Sequence, residues 1–175
     1  IGCGMGTGQR QRGILEEVLY LAKCPVVIDA DGINNLAMDI SIVSEAKCPV
    51  VLTPHFGEMA NLCRTSVKEI QKAPLLCAQE LALQLNAVIV LKGAHTVIAA
   101  PDGRTFINQT GNPGLAKAGS GDILTGILTS LISQGMNPFD AAVSAVYLHG
   151  AAADRCAERM SEYFMQPDDI LIDLG

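Results

Sequence analysis

The chain has 175 residues, 49% of them hydrophobic and 17% charged, a composition that can bury a core and excludes a disordered polymer. A net charge of −6 and a pI near 4.9, with no cluster of Lys and Arg, exclude a general nucleic-acid binder, which needs a basic face. No apolar run reaches the ~20 residues of a membrane-spanning helix, and the first residues lack the basic-then-apolar pattern of a secretory leader.

The chain opens on "IGCGMGTG", Ile1 to Gly8. A glycine loop of this kind follows a strand, of which Ile1 would be one residue. The expectation is a single catalytic domain over 1–175 that lacks its N-terminal strands and helices, so that this chain alone is not the functional unit. The alternating glycines suggest a dinucleotide fingerprint. G-x-G-x-x-G is not met, because Thr7, Gln9 and Gln11 fall at the three possible closing positions. Close approach of a ligand to the backbone at Gly4 and Gly6 is preferred over a bare turn.

Next come a helix-like stretch, "QRGILEEVLYLA", and a β-branched run, "CPVVIDA". The pattern repeats: helix "DGINNLAMDI", strand "CPVVLTP", helices "HFGEMANLCR" and "APLLCAQELALQL", strand "NAVIVLKG". Strands alternating with helices predict a parallel sheet with helices on its faces, an α/β fold. "HTVIAAPDGRTFIN" breaks the rhythm. Its Pro101-Asp102-Gly103 turn predicts a hairpin toward one edge of the sheet. After Gly121 a helix runs to a C-terminal Gly135, and a second starts at N-cap Asn137 with Pro138 in its first position. The tail, "QPDDILIDLG", is acidic and apolar by turns. There is no internal repeat and no low-complexity linker, hence one domain.

The six cysteines, Cys3, Cys24, Cys48, Cys63, Cys77 and Cys156, make no CxxC pair and no zinc-ligand spacing. Several stand in apolar runs, so reduced core thiols in a cytoplasmic protein are expected.

Chemistry-bearing residues gather after the strands. Asp29 and Asp31 follow the first strand, on the edge where open α/β sheets hold ligands. For Asp31 a helix N-cap is as good a reading as a ligand contact. His55, Gly57 and Glu58 follow the second strand. His55 carries more functional weight than a lone histidine usually does, whereas Glu58 can simply complement a helix dipole. Lys92 follows the third strand and could neutralise phosphate, although a solvated lysine beside a turn glycine is the better reading of Lys92 alone.

The densest stretch is "GNPGLAKAGSGDILTG", Gly111 to Gly126. It is not a P-loop, because Ser120 and not Lys follows Gly119. Gly119, Ser120 and Gly121 nonetheless precede a long helix, so their N–H groups can converge on an anion at its positive end. Asp122 beside that anion makes sense as a base that takes a proton from an attacking hydroxyl during phosphoryl transfer. That reading outweighs a simple cap.

These residues resemble a known family. "GNPGLAKAGSGDILTG" is similar to the anion-hole and catalytic signature of the ribokinase-like superfamily. "LTPHFGEMANL" resembles the P-H-P-G-E motif of the NAD(P)H-hydrate dehydratases, and "GCGMG" their G-P-G-L-G loop. "VIDADGIN" and "VLKGAHTVIA" also fit, so the resemblance runs from Ile1 to about Asp154. Phe56 and Cys3 replace prolines of the two motifs. The resemblance implies a ribokinase-like three-layer α/β/α fold with a mainly parallel sheet. It also implies phosphorylation of the ring hydroxyl in the S epimer of hydrated NADH or NADPH, from ADP or ATP with Mg2+, followed by loss of phosphate. Asp122 would be the base and would contact the substrate, with Gly119, Ser120 and Gly121 as the anion hole. Gly4, Gly6 and His55 would contact the hydrate. Lys92, Gly93, Ala94, His95, Thr96 and Gly121 would hold the nucleotide. The expected setting is cytoplasmic and homo-oligomeric, fused to or working with an NAD(P)H-hydrate epimerase, without nucleic acid or membrane. Two alternatives stand beside this: a vitamin-precursor kinase of the same superfamily, against which the P-H-x-G-E-like segment argues, and a non-catalytic nucleotide-binding remnant.

Overall fold

The β-branched runs become strands in the computed structural model, which describes residues 1–175. They are β1 (Val26–Ile28), β2 (Val50–Leu52) and β3 (Val88–Leu91), followed by β4 (Val97–Ala99) and β5 (Thr105–Ile107). The sheet order is β1-β2-β3-β4-β5. β1 pairs with β2 and β2 with β3 in parallel, and β4 runs antiparallel to β3. Every residue of β1, β2, β3 and β4 is buried, as continuous apolar runs covered on both faces must be. β5 instead has Thr105 and Ile107 exposed, as suits the edge. The expected turn joins β4 to β5: the Gly103 N–H donates to Ala100 O at 3.1 Å, and the Ala100 N–H to Arg104 O at 2.9 Å.

The chain divides into two compact units, Ile1–Gly93 with Val97–Phe106, and Ala94–Thr96 with Ile107–Gly175. The first holds α1 (Gln9–Leu21), α2 (Asp31–Leu36), α3 (Ser41–Ser44), α4 (Phe56–Leu62), α5 (Val67–Lys72) and α6 (Pro74–Leu85). Leu15 and Leu19 of α1, and Ala78, Leu81, Ala82 and Leu85 of α6, enter one core with the strands. Both sets follow helical spacing, which puts them on one face. The helix expected over 31–40 stops at Leu36. Asp39 turns the chain there by accepting from the Ser41 N–H at 3.1 Å and the Ser41 hydroxyl at 2.6 Å, and α3 starts afresh. α5 is an element the periodicity did not predict.

The second unit holds a short 3-10 turn (Pro113–Leu115), α7 (Ser120–Ser133), α8 (Pro138–Phe164) and α9 (Pro167–Ile172). α7 ends in paired bonds, Gly135 N–H to Ile132 O at 2.9 Å and Met136 N–H to Leu131 O at 3.3 Å, which satisfy its last carbonyls. Asn137 caps α8 as expected, its side chain accepting from the Phe139 N–H at 3.0 Å. α8 buries a stripe of small residues, Ala141, Ala142, Ala145, Ala152 and Ala153. Its regular course is interrupted at Ser161 (φ 69°, ψ 156°). The Lys117 ammonium gathers the carbonyls of Glu162, Tyr163 and Met165 just beyond that break. α9 lies in the tail and was not anticipated.

All six cysteines are free thiols. Cys156 is buried, and Cys48, Cys63 and Cys77 pack against the core of the first unit. Burial pushes the Cys63 thiol up to about 11, which keeps it protonated near neutral pH. Cys3 and Cys24 depart from the expected core placement: both are exposed, because they lie in turns before their elements begin. No helix is long and apolar enough to cross a membrane.

Candidate active site

In the first unit the site begins with the glycine loop. Asp31 Oδ2 accepts the Gly6 N–H at 2.9 Å, and Asn35 Oδ1 accepts the Gly8 N–H at 3.0 Å. The Asn35 amide returns a bond to Gly6 O at 2.9 Å. Asp31 and Asn35 stand four apart on α2, so they share a face and clamp the loop together. Asp31 thus clamps the loop from the first turn of α2, and the N-cap position weighed for it from the sequence belongs to Ala30. Gly4 is exposed, and nothing lies within 4 Å of where its Cβ would be.

His55 ends the segment after β2 and caps α4. Its Nδ1 accepts the N–H groups of Gly57 (2.9 Å) and Glu58 (3.1 Å), and the Glu58 carboxylate accepts the His55 N–H at 2.8 Å. This is a capping box with an imidazole in place of the usual hydroxyl. With Nδ1 occupied as an acceptor, the ring proton sits on Nε2. The His55 side chain is 59% exposed, with Nε2 3.5 Å from Glu58 Oε1. Burial pushes the Glu58 carboxyl up, and its bond from the His55 backbone and the Lys92 charge act in the opposite direction.

Lys92 is not the solvated lysine that its sequence neighbours suggested. Its Nζ lies 2.7 Å from Asp29 Oδ1, with the two side chains 21% and 2% exposed. Its N–H donates to Pro54 O at 2.8 Å, which continues the β2–β3 pairing as a parallel bridge to His55. The Phe56 ring, standing where the motif has proline, lies so close over Gly93 that a Cβ there would be 2.8 Å from Phe56 Cε2. Gly93, Ala94 and His95 are exposed and Thr96 is buried. The carboxyl ends of β1, β2 and β3 thus bring together Asp29, His55, Glu58 and Lys92.

In the second unit, Asp154 Oδ2 accepts the Gly111 N–H at 2.8 Å and its Oδ1 accepts the Asn112 amide at 3.0 Å. α8 thereby anchors the start of the glycine-rich stretch. At the other end Gly119 takes φ +96°, which an L side chain would resist, and α7 begins there with no side-chain cap. The Ser120 N–H is spent on Lys117 O at 3.2 Å, so the open end of the helix presents Gly121 and Asp122. The Ser120 hydroxyl is buried without a partner. Asp122 is exposed in the first turn. An uncapped helix N-terminus is suited to an anion, and an exposed carboxylate beside it is suited to take a proton.

The sequence did not single out Asn35, Asp154 or the Asp29–Lys92 pair. Only Asn35 had a local signal, its four-residue spacing from Asp31. The other partners are remote in sequence, 43 residues apart for Asp154 and Gly111 and 63 for Lys92 and Asp29.

Comparison with known proteins gives the family and the fold. The sequence model of a family described as NAD(P)H-hydrate dehydratase matches residues 1–174. The chain is 46% identical over 171 residues to a bifunctional NAD(P)H-hydrate repair enzyme of Moorella thermoacetica, covering 98% of this chain and 32% of that protein. It is similar to the crystal structure of the ADP/ATP-dependent NAD(P)H-hydrate dehydratase of Bacillus subtilis, crystallised with ATP and Mg2+ and soaked with CoA. The TM-score is 0.88 and the identity 37%, over 99% of this chain and 62% of that one. A ribokinase-like superfamily protein of Enterococcus faecalis matches with a TM-score of 0.84 and 31% identity, over 99% of this chain and 60% of that one. The expected α/β, ribokinase-like fold class is met. The chain spans less than two thirds of the length of each of these relatives.

Proposed function

The chain belongs to the NAD(P)H-hydrate dehydratase family, and we propose that it carries out the ADP- or ATP-dependent dehydration of the S epimer of hydrated NADH and NADPH. The observation that carries this reading is the start of α7. α7 starts within Gly119-Ser120-Gly121, with Gly119 at its N-cap position, no side-chain cap, and the Asp122 carboxylate in its first turn.

The reaction divides into two steps. Asp122 takes the proton of the ring hydroxyl as its oxygen attacks the terminal phosphorus of the nucleotide, and the bond to the leaving nucleotide breaks. The N–H groups at the α7 N-terminus, those of Gly121 and Asp122, hold the negative charge on the transferring phosphoryl group. Phosphate then leaves the ring carbon, a proton leaves the adjacent carbon, and the reduced ring is restored. ADP and hydrate become AMP, phosphate and the reduced nucleotide.

Gly4, Gly6 and His55 are the proposed hydrate contacts. The capped His55 offers its Nε2–H as a donor. The turn of Lys92, Gly93, Ala94, His95 and Thr96, with Gly121, is the proposed nucleotide contact. Mg2+ takes oxygen ligands and keeps several waters, so nucleotide phosphates can carry it without a protein cage. The residues fit that arrangement: Asp29 already bonds Lys92 and the Ala30 N–H, so the phosphates would supply most of the ion's oxygen ligands. Once bound, the ion neutralises charge on the phosphates. We also propose a companion epimerase, in keeping with a relative named a bifunctional repair enzyme, and a cytoplasmic, homo-oligomeric enzyme.

The test is direct. Purified protein is mixed with ADP, Mg2+ and hydrated NADH, and absorbance of the reduced nicotinamide is followed. Recovery that needs nucleotide supports the reading. No recovery with either ADP or ATP refutes it.

A further inference from the structure

We infer that Asp29 and Lys92 form a positioning pair that couples the glycine loop to the Lys92–Gly93 turn. This rests on the proposed function, which assigns those two segments to hydrate and nucleotide.

The pair is well shielded. Asp29 is 2% exposed at its side chain, and its Oδ1 accepts from both Lys92 Nζ (2.7 Å) and the Ala30 N–H (2.8 Å). A carboxylate so buried needs its cation, and a lysine 21% exposed at that distance has its charge already answered.

Contacts spread from the pair in two directions. On the β1 side, Ala30 is held at φ 50°, ψ −122°, a conformation that a non-glycine residue adopts only when its surroundings impose it. Asp29 imposes it twice, through Oδ1 on the Ala30 N–H and through its own carbonyl, which accepts the Gly32 N–H at 3.0 Å. That twist starts α2 and aims Asp31 at Gly6 and Asn35 at Gly8. On the β3 side, Lys92 is fixed by Pro54 O and leads directly into Gly93 beneath the Phe56 ring. One ion pair therefore ties the conformations of two loops whose residues are otherwise far apart in sequence.

The experiment is a double-mutant cycle in the recovery assay, comparing wild type with Asp29→Asn, Lys92→Met and the two combined. KM is measured separately for ADP and for hydrated NADH. Each single change is expected to raise both KM values by at least about fivefold, with kcat falling less than KM rises, and the combined variant is expected to be no worse than the worse single one. Two outcomes overturn the inference: Lys92→Met raising KM for ADP alone while Asp29→Asn leaves it unchanged or lower, or single effects that multiply in the combined variant.

If Asp29→Asn does not fold, the combined variant, which strands no lysine, and Lys92→Met carry the test. Amide exchange at Gly6 in ligand-free protein supplies a readout independent of turnover. Lys92→Met is expected to speed it by about tenfold or more, and unchanged exchange overturns the coupling. A wild type without activity would count against the proposed function and leave this exchange result standing.

Discussion

Asp122 and His149 carry the sharpest expectations for single residues. If Asp122 is the base, Asp122→Asn keeps the helix start and its N–H donors but cannot take the proton. Turnover should then fall by roughly 100- to 10,000-fold while the dissociation constant for ADP stays within about twofold. Kinetics beside calorimetric binding check this, and near-normal turnover would remove Asp122 from its role. His149 lies buried on α8, with its Nε2 lacking any partner. Burial lowers its pKa from 6.5 to about 4. The unfolded chain therefore binds a proton on His149 that the folded chain refuses between those values. The linked stability is complete above about pH 6.5 and is lost as pH falls toward 4, a loss on the order of 3 kcal/mol at full development. His149→Gln should flatten the pH dependence of the melting midpoint across that window. An unchanged slope would show that another group dominates it.

Among the elements, α4 is defined by its cap. His55→Ala removes the acceptor for two N–H groups and should cost about 1 kcal/mol, whereas His55→Asn keeps a side-chain acceptor and should cost only a few tenths. Denaturant melts of the two variants separate a cap from a residue that acts only on ligand, and equal losses would contradict the cap. The same element shows where local pattern is informative and where it is not. Strands β1, β2 and β3 were legible because apolar β-branched runs ended by turn residues have few other solutions. The start of α8 was legible because Asn137-Pro138 carries its own cap chemistry. α5 and α9 have six residues each, too few for a periodic stripe, and their signals lay in the caps alone: Ser66 with Glu69, and Gln166 with Pro167 and Asp169. The Gly119–Asp122 stretch was readable because its parts adjoin. The partners of Lys92 and Gly111 were not, because tertiary folding, and no local rule, chooses residues so far along the chain.

For the whole molecule, the proposed function requires a ribokinase-like chain to bind an adenine nucleotide. Any nucleotide that binds only the folded form must stabilise it. ADP at one hundred times its dissociation constant should add about 2.7 kcal/mol and raise the melting midpoint by several degrees, as scanning calorimetry would record. An unmoved midpoint at that concentration would contradict nucleotide binding. The most direct test of the central claim is a product balance on hydrated NADH of known epimer composition, with ADP and Mg2+, resolved by chromatography. The S epimer alone should be consumed, and AMP, phosphate and NADH should appear in equal amounts. Consumption of ADP with a stable phosphorylated product and no NADH, or S epimer left intact, would contradict it.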